Sequence, residues 1–155
     1  MVSDLIASPA VVSEEQDVEE IYWHAYAAIP HYAYTKPAAV KSYLSWLKRR
    51  TKKGFMVARI AGRPVGFIAV DNNWRTPEGQ GVAEIHEFVV DPAFQGRGIG
   101  KKLFQTGINF LKKRGAQNIE LWVGEYNHKP HQFYRRQGFR DGGQWGKWVQ
   151  MLKKV

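Results

Sequence analysis

The sequence predicts an α/β fold, and three observations carry that expectation. Apolar runs of strand length, Phe55–Ile60, Val65–Val70 and Val82–Val90, alternate with stretches whose apolar residues recur at helical spacing. Ala61-Gly62-Arg63-Pro64 separates the first two runs and reads as the turn of a hairpin. The third run ends in Phe88-Val89-Val90, is stopped by Asp91-Pro92, and passes through Gln95-Gly96-Arg97-Gly98-Ile99-Gly100-Lys101 into a stripe of Ile99, Leu103, Phe104, Ile108 and Leu111. A glycine-rich loop therefore joins a strand to the start of a helix.

A chain of 155 residues is long enough for one domain with a sizeable core, so a single domain over 1–155 is expected. It has no apolar run long enough to span a bilayer, and Met1–Pro9 lacks the basic lead and apolar core of a secretion signal. The cytoplasm is the expected location, with no membrane partner. Cysteine is absent, which excludes disulfides, thiolate metal sites and an acyl-cysteine intermediate. The net charge of +9 comes from short clusters such as Lys48-Arg49-Arg50, Lys112-Lys113-Arg114 and Arg135-Arg136, most of them explained as solvated helix ends. A positive field also draws in anions. The sequence holds no nucleic-acid module, so an anionic cofactor ranks above a polyanion as partner.

From the N-terminus, Ser13 with Gln16 three residues later forms a capping pair for a helix with Val18, Ile21, Tyr22 and Ala25 on one face, ending near Ile29-Pro30. Pro37 opens a second helix with a stripe of Val40, Tyr43, Leu44 and Leu47, and Gly54 closes the connection. Between the two helices, His31, Tyr32 and Tyr34 are candidates to line an acceptor pocket. After the hairpin, Asp71–Gly81 reads as a loose loop carrying Trp74 and Arg75. Downstream of the helix that runs from Gly98 to Arg114, Ile119–Val123 reads as a strand. Lys129–Gln137 follows as a short helix, and Phe139–Leu152 as a pair of strands around Gly142-Gly143 and Gly146.

The glycine loop suits a pyrophosphate. Gly96, Gly98 and Gly100 place no side chain between backbone and ligand, so N–H groups converge on an anion at the positive end of the helix, with Arg97 and Lys101 adding charge. Two better-known phosphate loops do not fit. A dinucleotide fingerprint needs glycine at Lys101; a nucleotide-triphosphate loop needs glycine at Gln95 and Ser or Thr at Lys102. A plain strand-to-helix turn is the bland alternative.

The spacing Gln-x-x-Gly-x-Gly after a strand ending Val-Asp-Pro resembles the acetyl-CoA-binding loop of the GNAT superfamily of acyl-CoA N-acyltransferases. A second stretch, Asn127-His128-Lys129-Pro130-His131-Gln132-Phe133-Tyr134-Arg135-Arg136-Gln137-Gly138-Phe139, is similar to the family's Asn, Phe-Tyr and Gly-Phe signature. Pro130 stands where alanine is usual, a change that the start of a helix tolerates. The resemblance covers the chain from about Gly54 onwards. It implies a GNAT-like mixed, twisted sheet with helices on both faces and a splay between two central parallel strands. It also implies acetyl-CoA as co-substrate, held by Phe88, Val89, Val90, Gln95, Gly96, Arg97, Gly98, Ile99, Gly100, Lys101, Asn127 and Tyr134.

Acetyl transfer to an amine sets further requirements. An alkyl amine with a pKa near ~10.4 is nucleophilic in roughly one molecule per thousand at neutral pH, a handicap of ~4 kcal/mol. Glu84, His86 and Glu87 are the candidates on the central strand to take the proton. Glu84 is favoured because it sits where the histone-acetylating branch of the family carries its basic glutamate, with Glu87 next. Either one could instead bind the acceptor's charge, or be a strand glutamate paired with a cation. Tyr134 matches the tyrosine that many relatives aim at the sulfur as general acid; its rivals are a positioning hydrogen bond or plain ring packing. Asn127 either contacts the cofactor or caps the following helix. His24, His31, His128 and His131 are expected at the surface, without a metal.

The expected reaction is direct transfer to a primary amine, with a small acceptor met by Tyr32, Tyr34 and Glu87. A peptide or protein amine, a CoA-binding module without turnover, and a basic nucleic-acid-binding protein are the alternatives. A homodimer is an assembly the sequence permits.

Overall fold

In the computed structural model, which describes residues 5–9 and 14–155, chain order gives β1 (Leu5–Pro9), α1 (Glu15–Tyr26), α2 (Pro37–Thr51), β2 (Phe55–Ile60), β3 (Arg63–Arg75) and β4 (Gly81–Val90). Then come α3 (Ile99–Lys113), β5 (Asn118–Gly124), α4 (His128–Arg136), β6 (Arg140–Trp145) and β7 (Trp148–Lys154). The strands form one sheet in the order β1-β2-β3-β4-β5-β7-β6. Four neighbouring pairs (β1–β2, β2–β3, β5–β7, β6–β7) run antiparallel and β4–β5 runs parallel, so the sheet is mixed, as expected. The parallel register covers Ala83–Ile85 against Ile119–Leu121, a short pairing that fits the expected splay.

Contacts divide the chain into two compact units: the residues up to Val70 with Glu87–Phe110, and Asp71–His86 with Leu111–Val155. The first unit follows from strand alternation. Phe55, Val57, Phe67, Ala69 and Val89 point to one side, where Val18, Ile21 and Tyr22 of α1 and Val40, Leu44 and Leu47 of α2 complete a buried cluster. Residues of the opposite parity meet α3. The Phe88 ring lies 5.2 Å from Phe104, and Gly107 leaves so little room that a Cβ there would stand 2.8 Å from Ile68 Cδ1. Helices therefore cover both faces. In the second unit, β7 pairs along its length with β5, while Ile119, Leu121, Val123, Tyr134, Phe139 and Met151 are buried.

Several expectations need correction. β1 was not foreseen; it pairs with β2, from Leu5 opposite Ile60 to Pro9 opposite Met56. Ser13 lies outside the described residues. The N-cap is Glu14, which is buried and ion-paired with Arg59, and α1 stops at Tyr26, a turn before Ile29-Pro30, where a 3-10 turn over Pro30–Tyr32 takes over. The hairpin turn is only Ala61-Gly62, both at positive φ, because Arg63 and Pro64 already pair with Ile60 and Arg59. A register shift beside Arg59 is what makes Pro64 tolerable in the ladder. β3 continues through Asp71 to Arg75, so Trp74 and Arg75 belong to a strand. The loop shrinks to residues 76–80, tied by Thr76 N–H donating to Gln80 O.

Phe67 is fully buried against both the α1–α2 cluster and Phe55, whose ring is 5.2 Å away. Phe67→Ala is expected to lower unfolding stability by about 3–5 kcal/mol, read as a lower urea midpoint at unchanged slope.

Candidate active site

The first unit holds the glycine loop. Asp91 ends β4, with its N–H on Val65 O, and its carboxylate accepts from Ala93 N–H, which caps a 3-10 turn over Pro92–Phe94. The Gln95 amide reaches back to Val90 O at 3.2 Å, which ties the loop to the strand end. Gly96 and Gly98 then take φ of +78° and +81°, a conformation that side-chain-bearing residues seldom adopt. A Cβ on either would meet no protein atom within 4 Å, so backbone direction rather than crowding calls for glycine there. The first bond of α3 is Lys102 N–H to Gly98 O at 3.2 Å, and the N–H groups just before it have no intrahelical acceptor. Gln95–Gly98 and Lys101 are exposed, and the Arg97 guanidinium lies 5.3 Å over the Phe94 ring. Donors, helix dipole and cations thus coincide in a solvent-facing loop, which is what an anionic ligand requires.

Also in this unit, Glu87 is buried and accepts hydrogen bonds from the hydroxyls of Tyr26 on Oε1 and of Tyr43 on Oε2, the second at 2.8 Å. Burial pushes the Glu87 carboxyl up, and the two tyrosine donors pull it back. Burial and then the Glu87 charge hold both tyrosine hydroxyls well above the ordinary phenol range. Tyr34 is half exposed, its ring 5.0 Å from Tyr43, and its N–H donates to the Tyr22 hydroxyl. Burial raises Tyr22 to about 12. Tyr32 is buried instead of open to a pocket. Sequence reasoning missed Tyr26 and Tyr43 as partners of Glu87. Tyr26 lies one helical turn beyond Tyr22 on the apolar face of α1, and that was the available signal.

The second unit holds Glu84, also buried, in register with Glu120 of β5. Glu84 Oε1 is 3.8 Å from His86 Nδ1, and His86 Nε2 is 3.0 Å from Asp71 Oδ2. Glu120 accepts from the Gln150 amide. Burial first, then the charge of Glu120, raises Glu84 to about 9. Tyr134 is buried with its ring edge-on to Phe133 at 5.7 Å and tilted to Phe139 at 6.2 Å. Asn127 holds the N-cap position of α4, but its side chain makes no capping bond; its backbone carbonyl accepts from His131 N–H. His131 is buried against Asp141 at 2.8 Å, contrary to the expected surface placement, because it fills the inner face of α4. Among the described residues no group of three or more His, Asp or Glu is arranged to hold a metal ion, and no helix is long and apolar enough to cross a membrane.

A mixed sheet flanked by helices, with an exposed glycine loop between strand and helix, defines this as an α/β protein. The sequence profile of the Acetyltransferase (GNAT) family matches residues 15–139. An uncharacterised N-acetyltransferase of Methanocaldococcus jannaschii is 43% identical over 140 residues, covering 90% of this chain; the chain spans 62% of that relative's length. A crystal structure from Pyrococcus horikoshii superposes with TM-score 0.87 at 35% identity, over 97% of this chain and 98% of the other. The PaiA N-acetyltransferase of Thermoplasma acidophilum, in complex with coenzyme A, shares the fold with TM-score 0.79 at 19% identity, over 97% of this chain and 99% of the other. This chain belongs to the GNAT acetyltransferase family.

A Glu84 carboxyl that stays protonated up to about 9 in the fold, but ionises near 4.5 once unfolded, gives most stability below pH 4.5 and loses it as pH rises towards about 9. Glu84→Gln removes that loss. The variant is expected to gain on the wild type progressively between pH 5 and 9, on the order of 3 kcal/mol by pH 7, measured by denaturant unfolding across pH.

Proposed function

We propose that this protein transfers the acetyl group of acetyl-CoA directly to a primary amine, within a ternary complex, and that the acceptor is a small amine. The observation that carries this reading is the exposed loop of residues 95–101, where left-handed Gly96 and Gly98 lead into α3 and the N–H groups ahead of Lys102 have no intrahelical acceptor. In this reading the cofactor's diphosphate sits on that loop, with Arg97 and Lys101 beside it. The pantetheine arm runs along Phe88, Val89 and Val90, where a backbone N–H polarises the thioester carbonyl. The coenzyme A complex of the PaiA relative supports the choice of ligand. Asn127, with no capping bond on its side chain, is assigned to the cofactor as well.

Glu84 is assigned the role of base towards the acceptor ammonium, and Tyr134 that of acid towards the departing thiolate. Glu87 is assigned to the acceptor's charge, with Tyr34 supplying a ring wall and Tyr43 holding the carboxylate; a buried carboxylate ringed by tyrosines suits a small ammonium. Without cysteine, no acyl-enzyme on sulfur intervenes. Because Glu84 holds its proton up to about 9, turnover should climb from pH 7 towards 9.

The test is release of free thiol from acetyl-CoA across a panel of small amines and short peptides. Small amines are expected to give turnover; thiol release with peptides alone would transfer the assignment to peptide amines, and none with either would leave a binding module. Glu84→Gln and Tyr134→Phe should each slow kcat by about 10²-fold or more with acetyl-CoA affinity nearly intact. Gly98→Val, strained at φ +81° and placing a side chain over the loop, should weaken acetyl-CoA binding at least tenfold by calorimetry.

A further inference from the structure

Glu84 and Glu120 face each other across the parallel β4–β5 pairing, where they occupy the same register position. Glu84 is 6% exposed and Glu120 fully buried. One oxygen of each, Oε2, is buried without a hydrogen-bond donor, and the two residues are register partners on neighbouring strands. Two ionised carboxylates cannot satisfy each other, because both only accept. A proton on one of them turns an acceptor into a donor that the neighbouring carboxylate can accept. The surrounding groups do not replace that proton. On β4, His86 stands 3.8 Å from Glu84; on β3, Asp71 adds negative charge behind His86; on β7, Gln150 gives a neutral amide hydrogen to Glu120 Oε1. No lysine or arginine is among them.

We propose that Glu84 and Glu120 form one carboxyl pair holding a single shared proton at neutral pH, and that Glu120 is thereby the positioning residue that sets the basicity of Glu84. The inference rests on Glu84 as the base for its catalytic half, and stands without it for the proton. Once the pair is fully ionised, Glu84 takes a proton from the acceptor ammonium and frees the nitrogen lone pair. The C–N bond forms, the C–S bond breaks, the thiolate takes a proton from Tyr134, and Tyr134 recovers one from the nitrogen, which sheds its second proton as it becomes the amide. The pair then returns its proton to water, so that ammonium and acetyl-CoA yield amide, free thiol and one proton. A lone carboxylate with an ordinary affinity for protons is a far weaker partner for an alkylammonium; the adjacent charge brings the two closer.

The experiment is a pH titration of the whole chain carrying 13C at the glutamate carboxyl carbon, in wild type and Glu120→Gln. In wild type the Glu84 resonance should move in a step above pH 7. In Glu120→Gln, Glu84 should titrate in one step displaced to lower pH by at least about one unit, a tenfold change in its ionised fraction at pH 7. Unchanged titration of Glu84 in that variant, or a Glu84 fully ionised at pH 7 in wild type, overturns the shared proton. Should Glu120→Gln not fold, Glu120→Asp gives the same reading: by drawing the second carboxylate back it must also lower the Glu84 step, and an unmoved step overturns the pairing. The catalytic half is read from kcat/KM against pH, whose rising limb should move to lower pH in Glu120→Gln; a coupled titration with an unmoved limb overturns the positioning role. Absence of turnover with every amine contradicts the acetyl-transfer reading alone, since the carboxyl titration needs no turnover.

Discussion

A backbone that twice enters the left-handed region, at Gly96 and Gly98, fixes the direction in which the chain leaves β4 and enters α3. The remainder of the first unit is organised around that constraint. Gly100 sits in the first turn of α3, with space for a Cβ only 3.6 Å from the Phe88 ring, so the helix begins flush against β4. The Gln95 and Asp91 side chains tie the loop back to the strand and to its own 3-10 turn. The N–H groups that a helix always leaves without partners are therefore held at one exposed strand-to-helix junction. A longer or more mobile connection could carry the same charge without holding those groups together.

The three buried strand glutamates illustrate how environment separates residues that look alike. Glu87 has tyrosine hydroxyls on both oxygens, and those donors compensate much of the cost of removing it from water. Glu84 has a second carboxyl beside it and no donor on Oε2. The tyrosine donors offset part of the cost of charge at Glu87, while at Glu84 the second carboxyl adds to it. A domain that needs to meet a cation and also to accept a proton gains from having both. Asp141, by contrast, is half exposed and held low chiefly by its hydrogen bond with His131, fastening α4 to β6.

What could be read in advance followed from periodicity and backbone rules. Pro37 marked the first residue of α2, Phe55–Ile60 was a strand to the residue, and the glycine loop fell between β4 and α3 as its spacing required. The failures have physical causes. β1 is a five-residue edge strand ending in proline, too short to show a period. The Asp71-Asn72-Asn73 stretch favours turns by composition, yet sheet pairing carries it onward as strand to Arg75. Glu120 carries no mark of burial in its own strand, where it alternates with Ile119 and Leu121; its complete burial depends on neighbours distant in sequence, such as Gln150. The link from Tyr26 and Tyr43 to Glu87 spans 61 and 44 residues; the helical spacing of Tyr26 after Tyr22 places it on the buried face but does not name its partner.

Membership of the GNAT family agrees with the strand order, the parallel central pair and the loop, and the account of how a cofactor is held rests on backbone amides more than on side chains. The most direct measurement is an amide 15N–1H titration of the full chain with acetyl-CoA. The account predicts that the largest shifts fall on Gly96 to Lys101 and saturate with the cofactor; saturating binding that leaves those six amides unmoved would contradict it.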